Sequence, residues 1–95
     1  MKGIFDMMYR FMTLDDKTEI NHSECDKEGN VRVYVEKPVF QGFKSAECSI
    51  PSFEWKMNDG FSDEELGKLN EYIRSIADII MDLAKAGGFD NAAGV

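Results

Sequence analysis

The stretch "FSDEELGKLNEYIRSIADIIMDLAKAGGF", residues 61–89, constrains the fold more than any other part of the chain. Ser62 stands where a helix N-cap belongs, and Glu65 three residues on completes a capping box. In that arrangement the hydroxyl and the carboxylate each take a backbone N–H that the first turn leaves without a partner. Phe61 and Leu66 have the spacing of a hydrophobic staple across the cap. Asp63, Glu64 and Glu65 put negative charge at the positive end of the helix dipole. Leu66, Leu69, Ile73, Ile76, Ile80 and Leu83 then recur at alternating steps of three and four, while Tyr72 and Ile79 widen the stripe. Gly87 and Gly88 end the run, with Phe89 spaced to fold back on the last turn. The pattern predicts one helix of roughly 24 residues, about 36 Å long. Such a stripe must lie on another apolar surface.

The middle of the chain supplies that surface. In "NVRVYVEKP", Val31, Val33 and Val35 alternate with Arg32, Tyr34 and Glu36, the period of a half-buried strand. "GFKSAECSI" places Ala46, Cys48 and Ile50 on one side. "SFEWKMN" does the same with Phe53, Trp55 and Met57 against Glu54 and Lys56. Pro38 is expected to stop the first run and Gly42 to turn the chain into the second. Pro51 separates the second from the third, as a bend or as a break between two strands. "DKEGN", 26–30, reads as a polar turn in which Gly29 and Asn30 accept positive φ, joining a strand over 17–25 to one over 31–37. Residues 4–14 carry both periods. Phe5, Met7, Tyr9 and Phe11 alternate as in a strand, whereas Ile4, Met8, Phe11 and Met12 share a helical face. The Asp15-Asp16 turn that follows favours the strand.

The expected fold is therefore α+β: an antiparallel meander of four or five strands with one long C-terminal helix across a face. Residues 1–89 form one domain, and 90–95 a flexible tail. At 95 residues the margin of stability is thin, and dimerisation would add buried area.

Eighteen acidic side chains against eleven basic ones give a net charge of −7. Such a surface repels phosphate backbones and anionic membranes, which argues against direct nucleic-acid or membrane partners. It suits a basic protein partner. No segment reaches the ~20 apolar residues of a membrane span. The opening "MKGIFDMMYRFM" is interrupted by Asp6 and Arg10 and lacks a small-residue cleavage site, so a cytoplasmic protein with reduced thiols is expected.

Chemistry has few candidates. His22, the sole histidine, stands three residues before Cys25, and Cys48 is the other cysteine. Even with Asp26 this set lacks the number and spacing of a zinc site. In an extended strand His22 and Cys25 also point to opposite faces. A Cys25–Cys48 disulfide would conflict with the reducing compartment, and Cys48 between Ala46 and Ile50 reads as a core residue. A lone strand histidine among many acids is more often structural than catalytic. The glycines of "AGGFDNAAG" follow a helix and so do not cradle phosphate. No catalytic residue, cofactor or metal is expected, and nothing calls for enzymatic activity.

Candidate contacts with a partner are Tyr34, on the polar side of its strand, and Phe40 in "PVFQG", although loops are often pinned by one buried aromatic. Ile79 and Met81 join them, because a single sheet face is expected to leave Ile79, Ile80, Met81 and Leu83 as an apolar strip fit for a homodimer. The first functional reading is a small acidic interaction or regulatory module. Size and charge alone liken it to accessory proteins of mobile elements and to inhibitors of basic proteins. One alternative is a small-ligand or enzymatic domain with a pocket between helix and sheet. Another is a nucleic-acid mimic using Glu64, Glu71, Asp78 and Asp82, which share part of one helix surface interrupted by Lys68, Arg74 and Lys85.

Overall fold

A computed structural model of the chain describes residues 8–86. In chain order they form β1 (Tyr9–Thr13), β2 (Glu19–His22), β3 (Val31–Val39), β4 (Gly42–Ile50), β5 (Glu54–Asp59) and α1 (Asp63–Ala86). Each strand pairs antiparallel with the next, giving one five-stranded sheet in sequence order. The α+β meander with a single C-terminal helix is thus the architecture found. The alternation at Phe5 and Met7, the helix stop at Gly87 and Gly88, the Phe89 contact and the tail 90–95 lie outside the described residues. No helix among them is long and apolar enough to cross a membrane.

Register explains where the core sits. Val31 opposes Ile50, Val33 opposes Cys48 and Val35 opposes Ala46, so six buried side chains share one face of β3 and β4. Ile20 joins them from β2, opposite Val35. The helix lays Ile73, Ile80, Leu83 and Ala84 on this face. Each fully buried Val or Ile contributes about 1.5–3 kcal/mol of transfer free energy, so the valine face and not its polar reverse meets the helix. Polar ties then fix the helix laterally. The Trp55 indole N–H donates to Asn70 Oδ1 at 3.0 Å. Lys44 donates to both carboxylate oxygens of Glu65, at 3.0 and 2.9 Å. The Arg74 guanidinium lies 4.2 Å from the centre of the Phe53 ring. The capping box forms as read: Ser62 N–H donates to Glu65 Oε1 at 2.8 Å, and Glu65 N–H to Ser62 Oγ at 3.1 Å.

Four local expectations are corrected. Pro38 does not stop β3, which runs on to Val39. Pairing with β2 ends at Glu36, so the outer edge of β3 at Pro38 has no strand to bond and the missing N–H costs no ladder bond. Gly42 is a strand residue paired with Val39, and the left-handed position of that turn falls on Gln41, at φ 62°. Of the two candidates in the 26–30 turn, Gly29 takes positive φ, at 86°, and Asn30 does not. Finally, Met57 does not share a face with Trp55. A bulge sets Cys48 opposite Trp55 but Glu47 opposite Met57, leaving Lys56 as the extra residue. Beyond the bulge Asn58 turns to the helix side, where it bonds both the N–H and the carbonyl of Phe61 and so holds the entry to the helix.

β1 settles the ambiguity of the N-terminal segment in favour of strand over 9–13. A second irregularity between Arg10 and Met12 interrupts its alternation, and both Phe11 and Met12 pack against the core.

Candidate functional site

The face of the sheet turned away from the helix can be read row by row from the registers. Arg10, Asn21, Tyr34, Glu47 and Met57 cross it in one row. Glu19, Glu36, Ser45 and Asp59 form the next, and Pro38 with Phe43 the row beyond that. Two of these carboxylates, Glu19 and Glu36, are direct cross-strand partners, an arrangement that destabilises a sheet. Among the described residues no cation closes on Glu19, Glu36 or Asp59. Glu36 accepts a long 3.4 Å bond from the Tyr34 hydroxyl, and Arg32 approaches Glu47 at 3.9 Å in the first row's neighbourhood.

Beyond the acidic row the β3–β4 hairpin outreaches its neighbours. β3 and β4 pair as far as Val39 and Gly42, whereas β2 ends opposite Glu36 and β5 opposite Ser45. The projecting end is apolar: Phe40 is 90 % exposed, Phe43 61 % and Val39 38 %. Phe40 is therefore not the buried pin that loop aromatics often are. A left-handed Gln41 holds the tip, a conformation that glycine adopts with less strain. Tyr34 lies half-buried in the middle of the same face, and Met57 is partly exposed beside it.

The helix contributes less surface than its pattern promised. Ile80 and Leu83 are buried in the chain's own core, and Met81 packs half-buried against it. Of the anticipated strip, Ile79 remains exposed. The sheet covers a broader arc of the helix than expected, because Tyr72 reaches Met12 on β1 while Asn70 and Arg74 reach Trp55 and Phe53 on the opposite flank. Glu64, Glu71, Asp78 and Asp82 are solvent-exposed.

His22 and the two cysteines do not assemble. His22 is fully buried, paired with Val33 and stacked at a tilt 5.6 Å from the Tyr9 ring. Its Nδ1 lies 2.8 Å from the Ser23 carbonyl, an acceptor, so Nδ1 carries a hydrogen. Nε2 has no hydrogen-bond partner among the described residues. Both cysteines are free thiols. Burial pushes the Cys48 thiol up to about 12, while Cys25 is partly exposed. Among the described residues no three His, Cys, Asp or Glu side chains are grouped to hold a metal ion. The Tyr9 hydroxyl donates to Glu24 at 2.8 Å, and that bond to a carboxylate raises its pKa.

A cleft of about 390 Å³ opens on the helix side, between the first turns of α1 and the β1–β2 turn. Leu14, Phe61, Leu69 and Tyr72 form its apolar wall, with Asp16, Thr18, Lys37, Glu65 and Lys68 around them. Hydrogen bonds from Thr18, then the Lys37 ammonium at 3.4 Å, hold the Asp16 carboxyl below the usual carboxylate range. The Ser62 backbone N–H, then Lys44, hold Glu65 at about 2. The sequence marked a helix–sheet pocket without its residues, since Asp16 and Glu65 read there as turn and cap.

Comparison with protein-family models, with curated proteins and with solved structures finds no match.

Proposed function

We propose that this chain is a non-enzymatic interaction module that docks a basic protein on the open face of its sheet, with the β3–β4 hairpin as anchor. The observation that carries the reading is the hairpin tip, where Val39, Phe40 and Phe43 stand in solvent beyond the neighbouring strands. Aromatic side chains presented on a rigid ladder are the residues that dominate binding energy in protein interfaces. A chain with a thin stability margin gains nothing from holding them in water. The sign of the partner follows from the adjacent row. Glu19 and Glu36 face each other across two strands at a cost to the sheet, and a partner's lysine or arginine would turn that repulsion into attraction. Two free thiols and the absence of any spanning helix among the described residues fit a cytosolic module.

The test uses the double variant Phe40→Ser, Phe43→Ser. Both side chains are exposed, so its melting temperature should match that of the parent within about 2 °C. Tagged parent protein should retain a basic protein from extract of its own host, with retention weakening as salt rises. The double variant should lose that protein, while Ile79→Asp, on the opposite layer, should keep it. Equal retention by the double variant and the parent, or retention of no protein by either, refutes the reading.

A further inference from the structure

The geometry points to a second, separate site: the cleft beside the first turns of α1 takes a small amphipathic carboxylate, its apolar body against Leu69 and Tyr72 and its charge between Lys37 and Lys68. At about 390 Å³ the cleft falls in the lower part of the range that small-molecule sites occupy, roughly 300–1,000 Å³. It exists because the helix start is held on the far side of the sheet. Lys44 bonds Glu65 from β4 and Asn58 grips Phe61 from β5, and among the described residues the cleft opens on the other flank, beside the β1–β2 turn.

Hydrogen-bond capacity selects the ligand's charge. The two acids of the lining are already answered inside the chain. Asp16 accepts from the Thr18 N–H at 3.0 Å and lies 3.4 Å from Lys37. Glu65 accepts from the Ser62 N–H and twice from Lys44. The unused capacity belongs to donors. An ammonium offers three N–H groups, and Lys37 directs one interaction at Asp16. Lys68 reaches Glu64 only at 3.9 Å on an exposed helix turn, a contact of little strength. A cationic ligand would compete with Lys37 and Lys44 for carboxylates that they already neutralise, whereas a carboxylate would complete bonds that Lys37 and Lys68 leave unmade. The wall of Leu14, Phe61, Leu69 and Tyr72 demands an alkyl or aryl body behind that carboxylate. This site lies on the helix side and takes Lys37 from the base of the hairpin, but it uses none of Val39, Phe40, Phe43 or the acidic row, so it stands or falls independently of the docking reading.

The experiment is an NMR titration of ¹⁵N-labelled protein with 4-phenylbutyrate, and with the matching alcohol and amine as controls. The carboxylate should shift the amides of Leu14, Thr18, Leu69 and Tyr72 and approach saturation with a Kd of about 1 mM, the range a probe of this size reaches at ordinary ligand efficiency. The alcohol should bind several-fold more weakly, and the amine should cause no shifts there. Lys68→Glu, at an exposed position that leaves folding intact, should weaken the carboxylate about fivefold and leave the alcohol unchanged. Equal binding of amine and carboxylate, shifts centred on the hairpin instead of the cleft, or no saturation at about 20 mM would overturn the proposal.

Discussion

Cys48 should react with a thiol reagent at least about 5,000 times more slowly than Cys25, and the structure supplies each factor. Cys48 sits at the centre of the sheet with no solvent exposure, opposite Val33 on one side and Trp55 on the other. Desolvation, then the neighbouring Glu47 charge, moves its thiol from an ordinary 9.0 to about 12. At about pH 8 the thiolate fraction therefore falls from roughly one in ten to roughly one in ten thousand, a factor of about 1,000. Burial also denies the reagent contact, so the closed state contributes almost nothing. The remaining route is opening of the sheet. For strands in the core this approaches global unfolding, about 5 kcal/mol or more in a small domain, or an open population near one in 5,000. The opening route dominates and sets the predicted ratio. Cys25 packs against the edge of the core with its residue partly exposed and reacts without unfolding.

The assay is DTNB labelling at about pH 8 with mass mapping of the modified residue. One equivalent should react quickly and a second slowly, and denaturant should merge the phases. Two equivalents in one fast phase, or label found first on Cys48, would refute the register that puts Cys48 between Val33 and Trp55. The same thiol gives a direction in alkali. Its folded value lies above its ordinary 9.0, so its contribution is intact below that pH and is lost as pH rises towards about 12.

Glu65 predicts the opposite edge of the pH range. Its folded value of about 2 lies below the ordinary 4.5, so the cap it completes is intact above 4.5 and lost as pH falls towards about 2. Glu65→Gln should flatten the far-UV circular dichroism titration in that window, and an unchanged titration would remove the carboxylate from the cap. The β5 bulge makes a paired prediction by urea denaturation. Met57→Lys should change stability by no more than about 0.5 kcal/mol, whereas Trp55→Ala should cost about 3 kcal/mol, and comparable losses would place both on one face. For the helix surface, sedimentation at high salt should give the same mass for the parent and for Ile79→Asp. A concentration-dependent dimer that Ile79→Asp abolishes would establish self-association through α1.

The helix and the two long strands were legible because several local signals agree there. Ser62, Glu65 and the 3.6-residue stripe each specify α1, and each is met in the structure by a bond or a buried side chain. The valine run and its partner run carry a period of two on both strands, so their pairing needs no further information. What escaped depends on one-residue offsets. The bulges in β1 and β5 have no compositional marker, because an extra residue at Phe11 or Lys56 looks locally like any other strand residue. Each offset inverts the faces beyond it, which is why Met57 moved to the open side and Asn58 to the helix.

Function was less legible for a related reason: both surfaces are made by where elements end relative to one another. Phe40 is exposed because β2 ends opposite Glu36 and β5 opposite Ser45, while β3 and β4 continue to Val39 and Gly42. No property of "PVFQG" itself states how far its neighbours extend, and the same five residues on an equal-length sheet would meet cover. The acidic row is of the same kind. Glu19, Glu36 and Asp59 are scattered over 41 positions of sequence, and three separate registers bring them into line. The cleft depends on Asn58 and Lys44 drawing the helix start towards β4 and β5, and Asn58 faces the helix because of the bulge. Deleting Lys56 would remove only the extra residue: Trp55 stays opposite Cys48, Met57 opposite Glu47 and Asn58 opposite Ala46, so the faces and the cleft persist. Asn58→Ala, by contrast, would remove both bonds to Phe61 and release the helix start that shapes the cleft, while leaving the β3–β4 hairpin tip where it is.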